Sequence, residues 1–264
     1  MPKLDSTRYT FLFATVVCVV CALLIAVSAV GLHEQQEINA LLYRQKNVLL
    51  AAGLVKPGED LPAKDVLKIF DDNIRVRLVD LSTGELVPLA TADPKTYDQR
   101  KARADPALSR AAPPNRAGVS RLPNYATVYF AMKGDAVRLI VLPIEGVGMW
   151  GTVYGLLALE PDGNTVRGLA YYDQKETPGL GGEISNPKWQ AVWNGRKVFN
   201  ENWEPALVVI KGRAGAPDKD PWRVDGISGA TITSNAVSRV MGFWMSNDAW
   251  GSFLKRFREG GVKP

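Results

Sequence analysis

The densest run of chemistry-bearing residues is Asp225-Gly226-Ile227-Ser228-Gly229-Ala230-Thr231-Ile232-Thr233-Ser234-Asn235. It leads into a segment whose apolar positions Val237, Val240, Met241 and Trp244 recur at helical spacing. Small residues and hydroxyls at a helix start leave unpaired N–H groups and the positive end of the helix dipole facing outward, which suits a phosphate. Ser and Thr are also the common N-cap residues, so the same run fits a plain helix cap. Two glycine-rich loops stand beside it. Glu176-Thr177-Pro178-Gly179-Leu180-Gly181-Gly182 joins a stiffening proline to flexible glycines. It reads either as a loop that presents backbone N–H groups to ring carbonyl oxygens or as a structural connection. Gly146-Val147-Gly148-Met149-Trp150-Gly151 fits GxGxxG, but a dinucleotide fingerprint needs a helix to begin at the motif. The next residues, Thr152 to Leu157, are rich in β-favouring types and interrupted by Gly155. The expectation is therefore a turn between strands, with Trp150 available as an apolar wall for a flat ligand.

The scarce residues exclude whole classes of chemistry. His33 is the single histidine, and Cys18 and Cys21 are the two cysteines. A Ser-His-Asp triad would have to use His33, at the end of an apolar run and far from any nucleophile motif. A Cys/His zinc site lacks ligands. No catalytic acid, base or metal ligand is assigned, and redox or group-transfer chemistry would need an imported cofactor. Cys18 and Cys21 have CxxC spacing, which in a membrane helix reads as small apolar packing, with a cluster shared with partner helices as the alternative.

The elements that must position these residues begin with a membrane anchor. No charged residue occurs from Tyr9 through Leu32. At about 1.5 Å per residue that run spans roughly 36 Å, against a hydrocarbon core of about 30 Å. It exceeds a secretory signal's apolar region, so an uncleaved anchor is expected. Lys3 and Arg8 precede it and the next basic residue is Arg44, which favours a cytoplasmic N-terminus and a domain outside the cytoplasm. With 46% hydrophobic and 22% charged residues among 264, the remainder suffices for one sizeable globular domain. The net charge of +5 is concentrated in Lys95, Arg100, Lys101, Arg103, Arg110, Arg116 and Arg121. With Tyr97 as the lone aromatic among them, that stretch reads as a solvated loop, with docking to an acidic partner or lipid headgroups as the alternative. Nucleic acid is not an expected partner, since its binders interleave aromatics with the basic groups.

The pattern predicts helices over 33–55, 62–70, 187–193 and 234–258. Strands are expected on both sides of a turn at Ser82-Thr83-Gly84, over 125–132, 136–143, 152–160 and 165–173, and over 206–211. Strands followed by terminal helices indicate an α+β class: a single N-terminal transmembrane helix, then a β-rich domain with flanking helices. The expected division is an N-terminus over 1–8, the transmembrane helix over 9–32, a helical and hairpin region with a long loop over 33–123, and a cofactor domain over 124–264.

The same residues carry a family likeness. Asp225 to Thr231 resembles the Asp-x-x-Ser/Thr-Gly-Ala-Thr signature of covalent FMN-binding domains, and Glu176 to Gly181 matches the Glu-Thr-Pro-Gly-Leu-Gly loop that accompanies it. With the anchor and the Gly146 to Gly151 turn, the chain is similar to the C-subunit family of sodium-translocating NADH:quinone oxidoreductases. The resemblance implies FMN joined through its phosphate to the Thr231 hydroxyl, installed from FAD by a flavin transferase that reads the signature and its acidic residue Asp225. It also implies a relay of electrons from NADH to ubiquinone, together with other subunits of an inner-membrane complex that moves sodium. The cofactor-binding residues expected on this basis are Thr231, Asp225, Ser228, Gly229, Ala230, Glu176, Thr177, Gly179, Leu180 and Trp150. Leu180 and Trp150 would line the isoalloxazine, Thr177 and Gly179 would lie near its polar edge, and Trp189 and Trp193 read as core. The alternatives are the flavin subunit of a ferredoxin-linked electron-transport complex and an anchored binding protein without a redox role.

Overall fold

The computed structural model describes residues 6–261. Lys3 and most of the expected 1–8 segment lie outside the described residues. In chain order the elements are α1 (Thr7–Ala51), α2 (Ala63–Asn73), β1 (Ile74–Asp80), β2 (Glu85–Leu86), α3 (Gln99–Ala104), β3 (Ser109–Ala111) and β4 (Arg121–Pro123). They continue with β5 (Tyr125–Lys133), β6 (Ala136–Val147), β7 (Thr152–Leu159), β8 (Val166–Asp173), a 3-10 turn (Gly181–Ser185), α4 (Pro187–Ala191), β9 (Val208–Val209), β10 (Arg223–Val224), α5 (Thr231–Trp244) and α6 (Trp250–Arg258).

Two compact units result, one ending at Arg44 and the other beginning at Gln45. The first is the greater part of α1, which is long and apolar enough to cross a membrane. Phe11, Leu24, Val27 and Val30 are among its exposed side chains. In the second unit a six-stranded antiparallel sheet has the order β2-β1-β5-β6-β7-β8. β1 pairs with β5 along its length, from Ile74↔Ala131 to Asp80↔Tyr125, so the hairpin around Ser82-Thr83-Gly84 shares a sheet with strands beyond the expected 123/124 division.

Both faces of this sheet are covered at its centre, so β5, β6 and β7 read as nearly continuous apolar runs. Val128, Phe130, Ile140, Leu142 and Ile144 pack with α5 and α6, through residues such as Val240, Trp244 and Phe253. Tyr129, Ala131, Leu139 and Val141 turn the other way, onto Val48, Leu49, Val66 and Phe70 from the end of α1 and from α2. Alternate residues of one strand thus serve two layers.

Three expectations differ from what the chain does. Residues 93–123 are not a solvated loop: α3 and the β3–β4 hairpin lie within them, and Ala102, Ala117, Val119 and Leu122 are buried. Arg100 pairs with Asp173 at 2.8 Å and sits 3.5 Å from the centroid of the Tyr154 ring, while Arg103 pairs with Glu145 at 3.0 Å. Those guanidiniums pin the stretch to the sheet, a long-range pairing that local composition does not reveal. The strand expected over 206–211 shortens to β9, paired in parallel with β10. The single helix expected over 234–258 divides into α5 and α6 at 245–249.

Candidate functional site

β6 continues past the last residue it pairs with β5, Val141, so its far end lacks a neighbour on that side. Long-range donors complete it. The Trp244 indole donates to the Glu145 carbonyl at 2.6 Å, and the Trp250 indole to the Pro143 carbonyl at 2.9 Å. The Val147 N–H donates to the Ala117 carbonyl at 2.8 Å. These bonds fix α5 beneath the β6–β7 connection. The connection is the Gly146 to Gly151 segment, where Val147 pairs with Thr152 and the Gly148 N–H donates to the Gly151 carbonyl at 2.7 Å. A strand comes after it, as expected, and the dinucleotide fingerprint lacks its helix.

A cleft of about 360 Å³ lies where this turn, the Glu176 to Gly182 loop and the start of α5 meet. Its lining includes Met149, Trp150, Glu176, Thr177, Leu180, Gly229, Ala230 and Thr231. Trp150 is 63% exposed and Leu180 44%, a large apolar surface left open at the mouth. Thr231 is exposed too. The N-cap of α5 is Ala230, and no side chain caps the helix. The signature hydroxyls therefore do not act as a cap, and the first-turn N–H groups of Thr231 to Thr233 remain for an anion.

The hydroxyls of the signature are not equivalent. Thr233 is buried and donates to Glu176 Oε2, while the Ser234 hydroxyl accepts from the Ile227 N–H at 3.3 Å. Thr231 forms no such bond. Glu176 itself is 5% exposed, and its Oε1 accepts from the N–H groups of Met149 at 2.9 Å and Trp150 at 3.0 Å.

Of the residues expected to bind a cofactor, Thr231, Gly229, Ala230, Glu176, Thr177, Leu180 and Trp150 line this one cleft. Gly179 is in the same loop, with φ +75°. Asp225 and Ser228 line a neighbouring cleft of about 490 Å³, together with Lys211 and Arg213, and the two clefts share Gly229 and Thr231. Asp225 Oδ1 accepts from the Ala214 N–H at 2.9 Å, so this carboxylate braces the approach to the signature. The Trp189 indole donates to the Asp225 carbonyl at 2.8 Å, and Trp193 is fully buried against it in the core. Sequence reasoning missed Met149, Gly181, Ile232 and Thr233 as lining. Met149 and Gly181 fall within the two glycine-rich loops already singled out, whereas Thr233 left no signal, since the burial of Glu176 that calls for its hydroxyl comes only with the fold.

The cleft fits FMN. Its size lies within the range of about 300–1,000 Å³ usual for ligand pockets. It offers apolar walls for a flat ring and a free hydroxyl beside unpaired helix N–H groups for a phosphate.

Comparison with known proteins agrees. The model of the FMN-binding domain family matches residues 148–246. The C subunit of Na(+)-translocating NADH-quinone reductase from Yersinia pestis is 42% identical over 263 residues, covering 98% of this chain and 96% of the relative. The protein of the same name from Vibrio vulnificus (strain YJ016) is 42% identical, covering 99% of this chain and all of its own length, 100%. Among solved structures, NqrC of Shewanella oneidensis superposes with a TM-score of 0.73 at 30% identity, over 81% of this chain and 96% of that one. The corresponding protein from Parabacteroides distasonis gives 0.64 at 25% identity, over 84% and 96%.

Proposed function

This chain belongs to the C-subunit family of Na(+)-translocating NADH-quinone reductases, and we propose that it carries its FMN as a phosphoester of Thr231, on a domain held outside the cytoplasm by α1. It is the flavoprotein electron-relay subunit of a membrane-bound translocase, working with the other subunits of that complex. FMN supplies a carrier that accepts electrons and passes them on. The residues of the chain bind and orient it. Thr231 contributes the ester oxygen, and the open N-terminus of α5 offsets the phosphate charge. Trp150 and Leu180 wall the ring, and Thr177 and Gly179 lie toward its polar edge. A relay of this kind works without a side-chain acid or base, so the single histidine is no obstacle.

Covalent attachment has a physical rationale. Outside the cytoplasm a dissociated FMN is lost by dilution, and noncovalent affinity would have to hold in both redox states. An ester removes that requirement and leaves the walls free to set the potential. A flavin transferase that reads the signature and Asp225 would install the group from FAD.

The observation that carries this reading is the uncommitted Thr231 hydroxyl at the uncapped start of α5, opening onto a cleft walled by Trp150 and Leu180. Tryptic peptides from native membranes should include the 231 peptide with the added mass of FMN. Thr231→Val, expressed with a flavin transferase, should give denatured protein with no fluorescent band. A band that survives this substitution places the ester elsewhere. Purified complex should be driven by NADH and not by reduced ferredoxin, which separates it from the ferredoxin-linked alternative.

A further inference from the structure

Glu176 was expected to touch the cofactor, yet both of its carboxylate oxygens are committed to the protein. Oε1 takes the two N–H groups of the β6–β7 turn, from Met149 and Trp150, and Oε2 takes the Thr233 hydroxyl of α5. The fit around it is close: a Cβ on Gly148 would stand 2.5 Å from Oε1, and one on Gly181 would stand 2.6 Å from Oε2. Two of the glycines in the flanking motifs are thus explained by the space this carboxylate needs, at Gly181 together with the Thr233 hydroxyl it holds.

We propose that Glu176 is a positioning residue: it staples the wall that carries Trp150 to the helix that carries Thr231, and its buried charge sets the potential of the flavin held between them. The inference rests on the functional reading given above. The staple joins three separated segments at the cleft itself, and so adds a direct tie between ring wall and ester oxygen to the Trp244 bond that holds α5 beneath the turn. Its hold on Thr233 also withdraws the neighbouring hydroxyl, leaving Thr231 as the acceptor. A buried negative charge in the cleft lining disfavours the arrival of electrons, more strongly than it would in water.

The test uses the full chain coexpressed with a flavin transferase. Three quantities are read: flavin per chain, the thermal melt, and the midpoint potential of the bound flavin. Glu176→Ala removes the staple and should lower flavin loading several-fold. Glu176→Gln keeps an acceptor for Met149 and Trp150, and its amide can donate to a Thr233 hydroxyl that has turned to accept. It should restore loading and melt toward the parent while moving the potential upward, a change that a merely structural side chain would not produce. If Glu176→Ala fails to fold, the glutamine variant alone decides. Parental loading and melt in a folded Glu176→Ala, or a parental potential in Glu176→Gln, overturns the proposal. A parent chain without covalent flavin instead overturns the functional reading beneath it.

Discussion

At the scale of single residues, the signature works by division of labour among small polar groups. Thr231 is left free because Thr233 and Ser234 are already engaged. Asp225 acts at a remove, bracing the Ala214 N–H on the far side of the loop. Asp225→Ala should lower flavin loading while the fold is retained. The lost hydrogen bond is worth about 0.5–1.5 kcal/mol, which corresponds to a fall in melting temperature of roughly 2–4 °C per kcal/mol for a unit of this size. Flavin per chain and a thermal scan measure both effects. Full loading in the folded variant would remove Asp225 from the maturation step.

At the scale of elements, the latch between α3 and the sheet decides how the far end of β6 is held. Glu145 is 5% exposed, its carbonyl receives the Trp244 indole and its carboxylate meets Arg103. The pair is close but poorly aligned for a hydrogen bond, leaving Oε1 without one. Burial pushes the Glu145 carboxyl above the ordinary carboxylate value, with Arg103 and then Arg100 pulling the other way. The folded chain therefore holds this proton to higher pH than the unfolded chain. Its contribution to stability is present below the ordinary glutamate value and is lost as pH rises through the raised one. Glu145→Gln removes the titration, so the decline of stability between the ordinary value and the raised one should flatten. Denaturant midpoints at successive pH values give the slope, and a slope unchanged by the substitution would assign the titration to another group.

At the scale of the whole molecule, an apolar anchor precedes a flavin-carrying domain. Arg8 stands before the apolar run and Arg44 well beyond it, which favours a domain outside the cytoplasm by the positive-inside rule. Alkaline phosphatase fused after Pro264 should be active in intact cells, and green fluorescent protein fused there and exported unfolded should stay dark. The reverse pair of results would invert the orientation and remove the need for a flavin transferase outside the cytoplasm.

Local pattern alone was enough for the anchor, the four long strands, the turn at Gly146 to Gly151 and the position of Thr231 at a helix start. Each depends on neighbours in sequence: an uncharged apolar run, alternation or runs of β-formers, glycine at a bend, small hydroxyl residues before a periodic segment. Tertiary structure decided what depends on partners far along the chain. The Lys95 to Arg121 stretch reads as solvated until Asp173, Tyr154 and Glu145 arrive from the sheet to receive two of its arginines, Arg100 and Arg103. Glu176 reads as one more residue of the cleft, and only the fold shows that Met149, Trp150 and Thr233 are the partners of its two oxygens. A charged side chain is placed by the groups that satisfy it, and a sequence does not say which distant groups those are until the backbone has brought them within hydrogen-bond reach.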